Sequence, residues 1–555
     1  MMITVVGKKR RLPPEEGSPA LEVDEDVDAA VGRDAQVYVD NANNVYHVMC
    51  TKTDTSTNVN KFYKIQVLVH GSSRNRYAVL RKWGRVGGSD SKANDAMTVR
   101  CGSGKAARQE AIDTFLTKFT ELTGTDWRER DSFEQRPGRY NMVEIMGTTS
   151  DSSKRRTTQA VAEEHDKAGV LCTLVPAVRS FVSLIFDEKV IEEHMSKVLH
   201  IDMRKMPLGA LSAAQLRRGL EVLSELSSLL RLDEATKRAT HGFDLRIRDA
   251  TNRFYSLVPH TISKSTAAAA KAKLNTLKKV EKAVDDVTDL LSIVDFTDAR
   301  DRAATGHGHV LDRQFDALGV TLDVVPTESP TFDVIKECMV TTHAPTHDGY
   351  SLEIVSLLEV RREEEWARFD SYPVCSHNRR LLWHGSRLTN WVSILSKGLK
   401  IAPKEAPVTG YMFGKGLYFA DCSSKSANYC FANKESPYGV LVLCEVALGD
   451  QYKRVAAEYE AKKSCRKAKA HSTWGMGKSA PDAARETKLP SSSEVSVPMG
   501  PLIDATELVN VEADIEGEAA SLLYNEFIVY NTAQVRMRYI LHVKFNFNET
   551  TGGYW

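Results

Sequence analysis

The chain has 555 residues, room for about three or four domains at ~100–200 residues each. Its 74 Lys+Arg against 73 Asp+Glu leave a net charge of +1, which excludes a uniformly basic coat for nucleic acid but not a local basic patch. No run approaches the ~20 apolar residues of a membrane helix, and nine scattered cysteines without a C-x-x-C pair argue against a disulfide framework or a zinc finger.

Residues 1–34 read as a disordered tail. Lys8-Lys9-Arg10-Arg11 is basic, and Glu15 to Asp34 holds eight acids against one base with no aromatic residue. Such a segment buries too little apolar surface to offset its ordering entropy. A basic cluster beside it fits nuclear targeting.

Residues 35–146 change to strand signals, read as a small mixed β-sheet domain. Lys61–Val69 and Arg76–Trp83 are β-branched and aromatic, separated by Gly71-Ser72-Ser73. Ala107–Leu122 follows as a helix, with Ile112, Phe115, Leu116 and Phe119 at i, i+3, i+4, i+7. Between Thr55 and Ser89 lie seven bases and no acid, interleaved with Tyr63, Tyr77 and Trp83. An exposed strand face is the ordinary reading of such a run. Like charges without a counter-charge repel, however, and phosphates would relieve that.

Gly147–Arg156 opens a polar linker over 147–167. Residues 168–320 read as an all-α helical bundle. Leu216, Leu220, Leu223, Leu226 and Leu230 form one apolar stripe, and Val280, Val284, Val287, Leu291 and Val294 another. Pro207-Leu208-Gly209 and Pro259 mark turns. Over 321–555 strands return, most clearly at Val440–Leu448, Glu526–Tyr530 and Arg538–Phe545. Lys453–Ser493 is polar and Lys/Ser-rich, read as a long excursion. The fold class is multidomain α+β, ending in an antiparallel-β-rich domain.

Several glycine clusters imitate a phosphate loop. Gly102-Ser103-Gly104-Lys105 and Gly475-Met476-Gly477-Lys478-Ser479 lack the earlier glycine of G-x-x-x-x-G-K-[ST], and Gly410–Gly416 lacks the Ser/Thr after its lysine. An ATPase or a dinucleotide-binding dehydrogenase is not supported.

The informative stretches are Leu381-Leu382-Trp383-His384-Gly385-Ser386-Arg387, Gly410–Asp421 with its Tyr418-Phe419-Ala420-Asp421, Lys425-Ser426-Ala427-Asn428-Tyr429, and Leu523-Tyr524-Asn525-Glu526. Taken singly, each of these side chains would be an ordinary core or strand-end residue. Together, in this order and spacing, they resemble the poly(ADP-ribose) polymerases that respond to DNA damage. Arg81-Lys82-Trp83-Gly84-Arg85 is similar to the Trp-Gly-Arg signature of that family's DNA-sensing domain, and the helical block to its regulatory domain. The resemblance covers about Ala35 to Phe547 and points to the short, DNA-dependent members.

The resemblance implies a nuclear, DNA-break-activated protein ADP-ribosyltransferase in 321–555. It would use NAD+ as substrate and no metal, and would build poly(ADP-ribose) on itself and on chromatin proteins, histones among them. A mono-ADP-ribosyltransferase and a catalytically silent DNA-end scaffold are the alternatives. The reaction breaks the bond between nicotinamide and ribose. Its leaving group is already cationic, so orientation and stabilisation of an oxocarbenium ion matter more than a strong acid.

By resemblance, the catalytic set is Glu526, His384 and Tyr418. His384 would hold the adenine-side ribose, Gly385 and Ser426 the carboxamide, and Tyr418 and Tyr429 the two faces of nicotinamide. Ser386, Asn390, Ser393 and Lys400 would line the adenosine side, and Met412 and Tyr524 the acceptor side. Glu526 would support the cation and polarise an acceptor hydroxyl. Lys400 and Ser393 replace the family's usual Arg and Gly, and Trp474 stands where a basic residue is usual. On the sensing side, Trp83 would stack on a DNA end, Arg85 would meet phosphate or relay the signal, and Asn60, Lys61 and Tyr140 would be further contacts. The helical block would cover the NAD+ site until DNA loosens it, with Gly219 and Gly242 as weak points.

Overall fold

The computed structural model describes residues 23–24, 26–27, 31, 35–70, 75–86, 94–143, 170–199, 201, 211–262, 265–304, 306–373, 377–408, 410–516 and 519–548. The basic cluster at Lys8–Arg11, the linker 147–167 and the Pro207–Gly209 turn lie outside them.

The first body is a sheet of β1 (Ala35–Val37), β2 (His47–Asp54), β3 (Val59–His70), β4 (Arg76–Arg85), β5 (Asn94–Ser103) and β6 (Asn141–Val143), in the order β5-β4-β3-β2-β6 with β1 also on β3. Every described pairing in it is antiparallel rather than mixed as expected. From β2 to β5 successive strands follow through short connections, whereas a parallel pair needs a long crossover. Helix α1 (Gly104–Thr123) covers one face with the fully buried Phe115 and Phe119, each edge-on to Trp127.

Sheet register sorts the basic run by face. Residues directly opposite, and those two along, share a face. Lys61, Tyr63, Arg81, Trp83 and Arg85 therefore lie together, with Tyr63 stacked on Trp83 at 5.5 Å. Lys64 and Lys82 point the other way and are buried. There they meet Asp24, at 2.7 and 3.0 Å, and Lys82 also meets Asp26 at 2.7 Å. Burial opposes ionisation of Asp24, but the two lysines more than offset it and hold its carboxyl below the usual range. A run without acids in the chain is thus partly neutralised in space, by two acids the sequence places in the tail.

The second body is helical. Its principal members are α2 (Pro176–Ile185), α3 (Ala213–Leu230), α4 (Phe243–Leu257), α5 (Leu277–Ala303) and α6 (Val310–Leu318). The two expected stripes are its seams: Leu216, Leu220, Leu223 and Leu226 of α3 and Val280, Val284, Val287 and Val294 of α5 are buried, while Leu230 and Leu291 sit at the margin. Gly219 is not a weak point. A Cβ there would stand 2.8 Å from Val258 Cγ2, so glycine is what lets α3 approach the end of α4. Gly242 caps α4 with φ +68°, a conformation glycine adopts without strain.

The third body holds β7 (Thr321–Val324), β8 (Tyr350–Arg361), β9 (Arg379–Ser386), β10 (Leu417–Phe419), β11 (Tyr438–Ala447), β12 (Gln451–Arg454), β13 (Ser472–Gly475), β14 (Gly477–Pro481), β15 (Thr487–Leu489), β16 (Ser492–Val497), β17 (Leu502–Asp504), β18 (Leu522–Tyr524), β19 (Glu526–Val529) and β20 (Val535–Phe547). A large sheet runs β15-β16-β9-β11-β20-β8-β7, and a second runs β10-β19-β13-β12. The central strands β11 and β20 are the continuous apolar runs seen in the sequence. Lys453–Ser493 is not an excursion: β12 to β16 pass through it, with a helix at Ala461–Lys467. These strands are short and half-polar, so periodicity could not separate them from loop.

Candidate active site

The site forms where the large sheet meets the second one. Trp383 and Ala420 exchange backbone hydrogen bonds of 2.8 and 3.0 Å, which brings the end of β9 beside β10. His384 on β9 then donates from Nδ1 to the Tyr418 carbonyl at 3.0 Å. That bond fixes the tautomer and leaves Nε2 as a lone-pair acceptor. Burial lowers the His384 pKa despite this bond, so the ring is neutral at pH 7.

Gly385 comes next, against α7 (Ser423–Ala427). A Cβ on it would lie 1.9 Å from the Ser426 carbonyl oxygen, so no other residue fits without moving the backbone. Ser426 is buried and Tyr429, just beyond, is 55% exposed at the rim. The Tyr418 hydroxyl accepts from Phe413 N–H at 3.0 Å and donates to the Gly414 carbonyl at 2.7 Å. Its polar end therefore fastens the glycine-rich loop, and its ring remains for contact. Met412 packs in the same small cluster as Phe413, Tyr418 and Ile528.

Tyr418 pairs with Ile528, so β10 places it next to β19, whose first residue is Glu526. Lys425 lies 2.9 Å from the Glu526 carboxylate and also donates to the carbonyls of Tyr524 and Asn525, at 3.0 and 3.1 Å. Asn525 is itself held. It donates to Asp421 at 2.7 Å and accepts from Trp474 Nε1 and Gly477 N–H, at 3.0 and 2.9 Å. Trp474 thus has a purpose: its indole N–H orients the residue before Glu526. Tyr524 reaches Thr346 through its hydroxyl, and its ring is 5.4 Å from that of His347.

The other end of the site is built across two bodies. Asn390 donates to Ser386 at 3.0 Å and to Asp289 of α5 at 3.3 Å, and Arg387 pairs with the same aspartate. His194 meets Asp289 at 3.0 Å. Six residues along α5, Asp295 accepts from Ser393 and from Lys400, both at 2.6 Å, and pairs with Lys397. Burial opposes ionisation of both carboxyls. The His194 bond and the Arg387 charge at Asp289, and Lys397, Lys400 and Ser393 at Asp295, outweigh it, so both titrate below the usual range.

The catalytic-set residues His384, Tyr418 and Glu526 converge, and the adenosine-side set Ser386, Asn390, Ser393 and Lys400 is contiguous with them. The sensing-side residues are some way off in the first body. Trp83 is partly exposed against Tyr63, Lys61 is exposed, and Tyr140 is half-buried. Asn60 and Arg85, from the two faces of the sheet, both reach the helical body: Asn60 donates to the His260 carbonyl at 3.0 Å, and Arg85 to the Ile262 carbonyl at 3.0 Å. Thr51 adds a 2.6 Å bond to the Ser256 carbonyl.

Sequence reasoning missed Lys425, Asn525, Asp289 and Asp295. Lys425 and Asn525 fall inside the motifs around Ser426 and Glu526, but nothing in the chain names their partners. The aspartates were legible only as acids close to an apolar helical stripe, a placement that costs free energy unless a cation waits opposite.

Three family models match this chain in turn: the WGR domain over residues 46–134, the regulatory domain of poly(ADP-ribose) polymerase over 172–315, and the poly(ADP-ribose) polymerase catalytic domain over 329–545. The chain is 38% identical over 529 residues to poly [ADP-ribose] polymerase 2 of Homo sapiens, covering 95% of this chain and 83% of that protein. The chain belongs to the poly(ADP-ribose) polymerase family. Identity to poly [ADP-ribose] polymerase 2-A of Oryza sativa subsp. japonica is 36% over 505 residues, covering 91% of this chain and 71% of that one. With poly [ADP-ribose] polymerase of Drosophila melanogaster it is 35% over 530 residues, 94% of this chain but 48% of the longer relative. The enzyme is an NAD+ ADP-ribosyltransferase of the DNA-damage response, and NAD+ is its substrate. No described helix is long and apolar enough to cross a membrane.

Proposed function

We propose that the enzyme is switched on by DNA strand breaks and builds poly(ADP-ribose) on itself and on chromatin proteins, including histones, in the nucleus. The observation that carries the reading is the pair of aspartates on α5. They hold Asn390, Ser393 and Lys400, the polar groups that would otherwise receive the adenosine half of NAD+. The body that carries Trp83 grips the same helical bundle at Ser256, His260 and Ile262. A DNA end on the Trp83 face is thus one packed body away from the NAD+ site, which suits a two-state switch.

In the open state, the neutral His384 would accept from the adenine-side ribose through Nε2. Gly385 and Ser426 would hold the carboxamide, with nicotinamide between Tyr418 and Tyr429. Glu526, placed by Lys425 and Asn525, would stabilise the ribosyl cation and draw the proton from an acceptor hydroxyl. Met412 and Tyr524 would shape the acceptor side, which is where polymer growth departs from single transfer.

The test is NAD+ consumption by the full chain with and without a nicked duplex, with the product run on a gel. Strong stimulation and a ladder are expected, and Trp83→Ala should remove the stimulation alone. A single sharp band would reduce the enzyme to mono-ADP-ribosylation, and turnover indifferent to DNA would remove the switch.

A further inference from the structure

Far from the NAD+ site, three loops bring His377, Asp450 and His471 together. His377 stands just before β9, Asp450 between β11 and β12, and His471 just before β13. One donor atom from each, a ring nitrogen or a carboxylate oxygen, lies within 4.8 Å of the other two. His377 Nε2 is 3.4 Å from Asp450 Oδ1, and His471 Nδ1 is 3.6 Å from Asp450 Oδ2. An N–H···O hydrogen bond is normally ~2.7–3.2 Å long, so these pairs are too open for one. They match another length. Ligands held ~2.0–2.1 Å from a tetrahedral zinc ion stand about 3.3–3.5 Å from each other.

The backbone around the three side chains is set by other bonds. Asn378 donates to the Gly449 carbonyl at 2.9 Å and to Gln451 Oε1 at 3.2 Å, clamping the lead-in of β9 onto both sides of Asp450. His471 N–H donates to the Asp450 carbonyl at 2.8 Å, and Gln534 donates to the His471 carbonyl at 3.0 Å. His471 Nδ1 accepts the Asp450 N–H at 3.0 Å. The nitrogen facing the carboxylate therefore carries a lone pair, the state a metal needs. Loading would exchange that hydrogen bond for a metal–nitrogen bond. His377 and Asp450 are exposed and His471 is half-buried, so an ion can reach the site from solvent.

We propose that His377, Asp450 and His471 bind a zinc-class divalent transition metal, with a fourth position open to water. Two imidazoles and one carboxylate favour such an ion over Mg2+ or Ca2+, which take oxygen ligands. The site does not serve the reaction directly: at ~3.3 Å per residue of extended chain, the seven residues from His377 to His384 span about 23 Å. It would act as a clamp. β9 carries His384 and Gly385, while β13 carries Trp474 and pairs with β19 at Glu526. One ion would tie together the roots of the strands that hold the two halves of the NAD+ site. No ligand lies near another in the chain, so no sequence spacing announces the cluster.

The experiment uses the full chain after chelation and dialysis. Zn2+ is titrated by calorimetry, and Co2+ replaces it as a visible-absorption probe. One saturable equivalent is expected, with a Zn2+-dependent rise in melting temperature. His377→Ala, His471→Ala and the near-isosteric Asp450→Asn should each weaken binding at least ~10-fold and abolish the thermal shift. Their NAD+ turnover without metal should match that of the parent. If the parent shows no saturable uptake, or if all three variants take up Zn2+ as tightly as the parent, the site does not exist.

Discussion

The two ends of the proposed NAD+ site are made differently. The end that carries His384, Tyr418 and Glu526, proposed to meet the ribose and the nicotinamide, lies within one body. His384 is set by the Tyr418 carbonyl, Gly385 by contact with Ser426, and Glu526 by Lys425, with Asn525, Asp421 and Trp474 behind it. The end proposed for adenosine is shared. Asn390, Ser393 and Lys400 already have partners, and those partners are carboxylates on a helix of another body. Preorganised groups stabilise developing charge without rearranging. Groups tied to a movable neighbour can be released or withheld. On the proposed reading the difference separates chemistry from access: one end would react, the other would be uncovered.

The sharpest break would come at the first end. Glu526→Gln keeps the shape and removes the charge beside Lys425, and elongation should fall at least ~100-fold, the scale of losing one transition-state electrostatic partner. NAD+ affinity should change little. Polymer of normal length from this variant would refute the role given to Glu526.

Next in size is the second end. Asp289→Asn with Asp295→Asn would remove both charges that hold the adenosine-side groups. A coupling of ~1–3 kcal/mol between the helices and the site predicts a rise of about 5–150-fold in DNA-independent turnover, mainly through a lower KM for NAD+. Steady-state kinetics without DNA would show it. An unchanged KM would mean that these aspartates serve stability and not access.

A smaller effect is expected behind that interface. Gly219→Ala places a methyl 2.8 Å from Val258 Cγ2, and overpacking of this kind costs roughly 1–3 kcal/mol. The helical transition should move to lower temperature while DNA-independent activity rises. Loss of stability with no gain in activity would uncouple the bundle's packing from its hold on α5.

The smallest effect is a pH dependence. His384 accepts only when neutral, and its pKa is lowered by burial. A depressed histidine favours the neutral folded state, so its contribution to stability is complete above the unfolded value of ~6.5 and is lost as pH falls through the lower folded value. The KM for NAD+ should likewise begin to rise only below ~6.5. A break at or above that pH in a KM profile would assign the acid limb to another group.

Much of this was legible in the chain. The long strands β3, β4, β11 and β20, helix α1 and the seams of α3 and α5 are readable in the chain: the helices bury one apolar stripe each, and the strands are β-branched or continuous apolar runs, β11 and β20 being buried on both faces. The motifs around His384, Tyr418, Ser426 and Glu526 pointed to the transferase through their resemblance, in order and spacing, to a known family. Tertiary structure decided the partners. Register put Lys64 and Lys82 on the face opposite Trp83, where Asp24 meets them. Close helix packing turned Gly219 from an apparent weakness into a requirement. Burial turned Asp289 and Asp295 from acids beside an apolar stripe into the partners of Arg387, Asn390, Ser393 and Lys400. The two charged cases share one physical reason. A sequence records which groups can hydrogen-bond or ionise, but the free energy of a buried charge depends on what lies opposite it, and that is set by contacts between residues far apart in the chain.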